Sequence, residues 1–120
     1  MDDEAWQRAI DANADFVVVR PGEPVVAKAG RRGRTVRYPV QIVRAIVQAH
    51  EIETLVHLGD PLLEPGRIYL VATIATARFP DARQMLVFEP VDPGALDRTC
   101  DELRERLSRH RPMAKRGSES

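Results

Sequence analysis

The stretch Leu62-Leu63-Glu64-Pro65-Gly66-Arg67-Ile68-Tyr69-Leu70-Val71-Ala72-Thr73-Ile74 constrains the fold of this chain more than any other. Pro65-Gly66 has the chemistry of a tight turn, since proline supplies a fixed φ and glycine accepts a positive one at little cost. Beyond the turn, alternation puts Ile68, Leu70, Ala72 and Ile74 on one side of a strand and Tyr69, Val71 and Thr73 on the other. Both sets suit burial, so the spacing predicts the central strand of a sheet covered on both faces.

The remaining segments must supply the neighbours and the covering layers. Residues 2–12 predict a short helix with acids in its first turn and Trp6, Ala9 and Ile10 as an apolar patch. Phe16-Val17-Val18-Val19 is a β-branched run, and Arg20-Pro21-Gly22-Glu23 has the residues of a type II turn, so residues 16–29 predict a hairpin returning through Val25-Val26-Ala27. Gly30-Arg31-Arg32-Gly33 then turns into Arg34-Thr35-Val36-Arg37-Tyr38, an exposed third strand. Over Val40 to Glu51 the period changes. Gln41, Arg44, Gln48 and Glu51 share one helical face and Val43, Ile46, Val47 and His50 the opposite one, with Pro39 suited to the first position. Strand alternation would put Arg44 among Val40, Ile42 and Ile46, so the prediction is a helix, although its β-branched residues weaken it. Thr54–Leu58 predicts a short strand, residues 77–82 a loop, and Met85-Leu86-Val87-Phe88 another strand. Asp92-Pro93 opens a last helix, with Leu96, Cys100, Leu103 and Leu107 as its apolar stripe and an end before Pro112.

This order argues α+β, with a mostly antiparallel or mixed sheet, a β-grasp-like hairpin–helix–strand order and a C-terminal helix. A chain of 120 residues fits one domain, expected over residues 1–112, with 113–120 as a disordered tail. Hydrophobic residues make up 43%, too many for intrinsic disorder. No run approaches ~18 apolar residues, so no membrane helix is expected. Residues 1–15 are acidic, the wrong sign for a signal or transit peptide, and the single Cys100 allows no internal disulfide. Those features point to the cytoplasm.

Net charge is zero, but residues 20–44 carry seven cations against Glu23, and residues 89–105 carry six acids against Arg98 and Arg104. The simplest expectation is that the two blocks face each other within the molecule. Nucleic-acid binders usually carry an overall basic excess, which is missing here.

Val17-Val18-Val19-Arg20-Pro21-Gly22, Thr35-Val36-Arg37-Tyr38-Pro39-Val40 and Leu62-Leu63-Glu64-Pro65-Gly66-Arg67-Ile68-Tyr69-Leu70-Val71 together resemble the PADRE domain of plant stress-response proteins. That family joins a hydrophobic strand, a glycine-bearing turn, a Pro-Val start to a helix and a late strand of the Leu-x-Pro-Gly-x-x-Tyr-Leu-Val type. The resemblance spans residues 17–71, about half of the chain. It lacks the family's Gly-Asn N-terminus, has a short segment between helix and late strand, and finds no counterpart for residues 81–110. It implies a small non-enzymatic domain tied to stress or defence, with no catalytic residues to carry over.

Catalytic chemistry finds little footing. Ser108, Ser118 and Ser120 lie at or beyond the last helix, and Cys100 sits on an apolar stripe where a thiol is usually inert. His50, His57 and Asp60 are the nearest thing to a metal cluster, but no ligand spacing joins them, so neither metal nor cofactor is expected. Gly30-Arg31-Arg32-Gly33-Arg34 precedes a strand, whereas a phosphate loop must open a helix. Conjugation of the ubiquitin kind would need a Gly-Gly terminus, and the chain ends Arg116-Gly117-Ser118-Glu119-Ser120.

The first expectation is therefore a non-catalytic domain that binds an unknown protein partner or another copy of itself. Its surface would be edge strand 34–38 or the acidic face of the last helix. The second is nucleic-acid or polyanion binding through Arg31, Arg32, Arg34 and Arg37. A small hydrolase or toxin-like enzyme using His50 or His57 with Asp60 or Glu64 is the third.

Overall fold

The structure is a computed structural model and describes residues 3–28, 33–46 and 52–110. It is α+β: helix α1 (Asp3–Asp11), strands β1 (Asp15–Pro21), β2 (Val25–Lys28), β3 (Arg34–Ala45), β4 (Thr54–Leu58), β5 (Tyr69–Thr76) and β6 (Phe79–Pro90), and helix α2 (Leu96–His110) after a 3₁₀ turn at Pro93–Ala95. The strands form one mixed sheet in the order β1-β5-β6-β4-β3-β2, and β1 also pairs with β3. That extra pairing closes β1, β5, β6, β4 and β3 into a barrel. All its pairs are antiparallel except β4–β6. Counting β1 and β2 as one kinked first strand along β3, the connectivity is that of OB-type Greek-key barrels.

Strand β5 is the central strand its sequence predicts. It pairs with β1 along one edge and β6 along the other. Ile68, Leu70, Ala72 and Ile74 face a core shared with the helices, while Tyr69 and Val71 face the barrel interior. Gly66 has φ +83°, the left-handed conformation that the Pro65-Gly66 turn requires. The outer core receives Trp6, Ala9 and Ile10 from α1 and Cys100, Leu103 and Leu107 from α2, with Trp6 stacked on Phe16 at 5.8 Å between ring centroids. Helix α2 is launched by Asp92, whose side chain accepts a hydrogen bond from the Gly94 amide.

The structure corrects four local expectations. Residues 40–45 are strand, not helix, and Val47–Glu51 lie outside the described residues, so the β-grasp-like order has no helix here among the described residues. The cause is a bulge. Val18 pairs with Arg44 and Val19 with Ile42, leaving Val43 as an extra residue that reverses the alternation. Val40 and Ile42 therefore face the barrel interior, while Val43 and Ile46 face the helix side. One phase reversal in a strand imitates a helical period.

The hairpin expected over residues 16–29 is also absent, because β1 and β2 both pair with β3 and not with each other. Gly22 keeps the run in register by donating its amide to the Pro39 carbonyl at 2.7 Å. The exposed edge strand expected at 34–38 is instead paired on both sides, by β2 and β4. Finally, the loop expected over 77–82 is only a turn at Ala77-Arg78, and β6 begins at Phe79. Residues 80–82 fall in a register shift of the β5–β6 pair, where Pro80 forfeits no ladder hydrogen bond to β5.

Candidate functional site

Of the four arginines the sequence singles out, Arg34 and Arg37 are among the described residues. Arg31 and Arg32 lie outside the described residues. Arg34 and Arg37 stand three apart on a strand, which sends them to opposite faces. Each is already paired, Arg34 with Asp60 at 3.0 Å and Arg37 with Asp81 at 3.1 Å, and Arg37 also lies over the Phe79 ring at 5.7 Å. Among the described residues a single ion pair, Arg44–Asp97, joins the basic block to the acidic one. Hydrogen bonding to Asp97 raises the Arg44 pKa further above its ordinary value. His50 lies outside the described residues, Asp60 is engaged by Arg34, and Glu64 pairs with Arg67 at 3.3 Å. Among the described residues no three His, Cys, Asp or Glu side chains come together as metal ligands. Cys100 is a fully buried free thiol.

What the fold does build is a groove at the barrel's seam. Strands β4 and β6 run parallel but pair only as Leu55 with Arg83 and Val56 with Gln84. Past these two positions no ladder joins β4 to β6 among the described residues. β6 also carries a bulge here: Ala72 pairs with Val87 and Thr73 with Met85, so Leu86 is the extra residue and stands exposed. Beyond residue 84, among the described residues, β6 pairs with a strand on its β5 side alone.

The opposite wall is the segment 59–68, which crosses the barrel end from β4 to β5. Its backbone is held by polar groups on the strands. Gly59 donates its amide to the Arg34 carbonyl at 2.8 Å, and Gly66 donates to the Pro21 carbonyl at 2.9 Å. Two interior tyrosines reach up to meet it. The Tyr38 hydroxyl accepts from the Leu62 and Leu63 amides at 2.7 and 3.2 Å, and the Tyr69 hydroxyl accepts from the Glu64 amide at 2.9 Å. Leu63 thereby plugs the barrel at 3% exposure, and Leu62 is turned outward at 48%.

Between these walls lies a cavity of about 540 Å³, lined chiefly by His57, Leu62, Met85, Leu86, Phe88 and Glu89, with Ala5 and Trp6 at its α1 end. The volume falls within the range of ligand pockets, and the lining is apolar with few polar groups, as such sites are. Leu62 and Leu86 stay exposed at its mouth, at 48% and 37%. The two leucines leave apolar surface in solvent on either side of the groove mouth.

His57, next to the end of β4 and lining the groove, has its pKa lowered by burial, which penalises the imidazolium. The folded protein therefore holds fewer protons at His57 than the unfolded chain does. The stability this contributes is present above the ordinary histidine value of 6.5 and is lost as pH falls through the lower folded value. Urea midpoints measured from about pH 8 to about pH 5 are expected to decline, with a shallower decline in His57→Gln. An unchanged slope in the variant would remove His57 from the account.

The sequence reading missed Leu62, Leu86 and the open edge of β6. A signal was present in Met85-Leu86-Val87-Phe88, four consecutive apolar residues with no alternation, which a strand open to solvent on one face accommodates only with a bulge. No helix among the described residues is long and apolar enough to cross a membrane. No family model matches the chain, and no curated protein matches it either.

Proposed function

We propose that this protein is a binding module that takes an extended segment of a partner protein into the β4–β6 seam, by strand addition to the open edge of β6. The observation that carries the reading is the seam itself: a strand edge with no ladder partner among the described residues, bordering an apolar groove with two exposed leucines. Main-chain hydrogen bonds along the edge would supply affinity, and alternate side chains entering the groove would supply selectivity. A small apolar ligand would use the groove but leave the strand edge unpaired.

Polyanion binding has less support. OB-type barrels that bind oligonucleotides use the face of their second and third strands, here β3 and β4, often with aromatic stacking. In this chain Trp6, Phe16, Tyr38, Tyr69 and Phe79 are buried and Phe88 is half-buried, so no ring is presented to a base. Fold likeness alone does not decide such a question. The PADRE-like pattern of residues 17–71 suits a binding role, and of the groove lining its motifs include Leu62.

Peptides selected from a random displayed library against the full chain are expected to alternate apolar and polar residues. Leu62→Arg or Leu86→Arg should weaken their binding by about tenfold or more, while changing stability by less than about 0.5 kcal/mol because both side chains are exposed. Selected ligands that ignore both substitutions, and whose affinity collapses with salt, would put polyanion binding in place of this reading.

A further inference from the structure

The groove does not end at Glu89. A second hollow of about 310 Å³ shares Trp6, Glu89 and Pro90 with it and continues past Asp92 to Glu102 on α2. The track along β6 is therefore apolar over Met85–Phe88 and acidic from Glu89 onward. Glu89 is half-buried, and its carboxylate makes no hydrogen bond or ion pair to another described residue. Two cations border the same hollow. Arg106 is spent on Asp3, with Nη1 at 3.5 Å from the carboxylate and Nη2 donating to the Asp3 carbonyl at 3.4 Å, and Arg109 is exposed at the rim.

We infer that the occupant is an extended segment with aliphatic residues followed by Lys or Arg, its aliphatic half against Leu62, Leu86 and Phe88 and its basic end at Glu89 and Glu102. This rests on the strand-addition reading and adds the chemistry of the partner. A carboxylate flanked by apolar walls favours an incoming cation and repels an anion more strongly than one in open water, because screening is weaker there. An aliphatic segment ending in acids would lay its charge against the Glu89 carboxylate, with Arg106 already held by Asp3 and Arg109 out at the rim. Direction follows too: the basic end lies toward Pro90, where β6 runs out and α2 begins.

Fluorescein-labelled Val-Thr-Val-Ile-Lys-Arg, Val-Thr-Val-Ile-Gln-Gln and Val-Thr-Val-Ile-Glu-Glu, titrated into the full chain by fluorescence polarisation, test this. The basic peptide is expected to bind about tenfold tighter than the acidic one. Glu89→Lys should reverse that order, and Glu89→Gln and Glu102→Lys should narrow the gap; the last two guard against a folding defect in the first. Binding of all three with equal affinity, still weakened by Leu62→Arg, would overturn the inference and leave the groove reading standing. No binding of any peptide would overturn both. Two further results would replace a separate partner: concentration-dependent dimerisation abolished by Leu86→Arg, meaning a second copy, and peptide binding only after removal of residues 111–120, meaning the chain's own Arg111-Pro112-Met113-Ala114-Lys115-Arg116.

Discussion

Arg83→Met is expected to destabilise the protein by about 3 kcal/mol, the low end of what removing one member of a buried ion pair costs. Arg83 on β6 and Asp15 on β1 meet inside the barrel, at the end opposite the 59–68 segment. Arg83 Nη2 donates to Asp15 Oδ2 at 2.5 Å, and Nε lies 3.4 Å from the hydroxyl of the fully buried Thr73. Their side chains keep 19% and 13% of their exposure, too little for free hydration of either charge. The pair also ties the first strand to the last, where no direct β1–β6 ladder exists. Methionine fills the space but leaves the Asp15 carboxylate without its counter-charge. Residual water contact at both side chains is why the low end of the range applies. Asp15→Val with Arg83→Met should cost less than the two single changes summed, by about 1 kcal/mol or more, since the double variant buries no lone charge. Urea unfolding measures all three. A single-variant loss under about 1 kcal/mol would mean that the interior there is wet.

Tyr38→Phe should cost about 2 kcal/mol, although it removes one atom from a side chain with no measurable exposure. That atom accepts two backbone amides, and Leu63, the deeper of the two donors, has no water in reach once it is gone. Tyr69→Phe is the matched control. Its hydroxyl serves only the Glu64 amide, beside an exposed side chain, and water can replace it at a cost below about 1 kcal/mol. Hydrogen exchange distinguishes the two, because Leu62 and Leu63 amides should exchange faster in Tyr38→Phe and remain protected in Tyr69→Phe. Equal losses in both variants would show that the segment is held by its leucine plug and not by the phenols. The same change should loosen the groove wall carrying Leu62, so peptide affinity should fall in Tyr38→Phe without any contact to the peptide being altered.

Local pattern carried β5 and α2 because nothing in them departs from a regular period. Ile68 to Ile74 alternate without interruption, and Leu96, Cys100, Leu103 and Leu107 repeat at helical spacing. Over Val40–Ile46 the period misleads, because the Val43 bulge shifts the phase, whereas the β-branched composition agrees with the strand that forms. Arg34 and Arg37 are close in sequence but stand three apart on β3, which puts them on opposite faces of the strand. The seam could not be read at all. It depends on where β4 meets β6, residues nearly thirty apart in a parallel pair, and on how soon they part again. Only tertiary structure holds that information.

The contact between Arg106 and Asp3 brings α2 back to α1, so the described chain ends beside its own beginning. The barrel can then be regarded as a ring of strands whose starting point is arbitrary. A circularly permuted chain, with α2 linked to α1 and new termini cut at the Ala77-Arg78 turn, would retain every strand pair and both walls of the groove. It would also move the termini to a different part of the surface, offering a choice of attachment point for a tether or label.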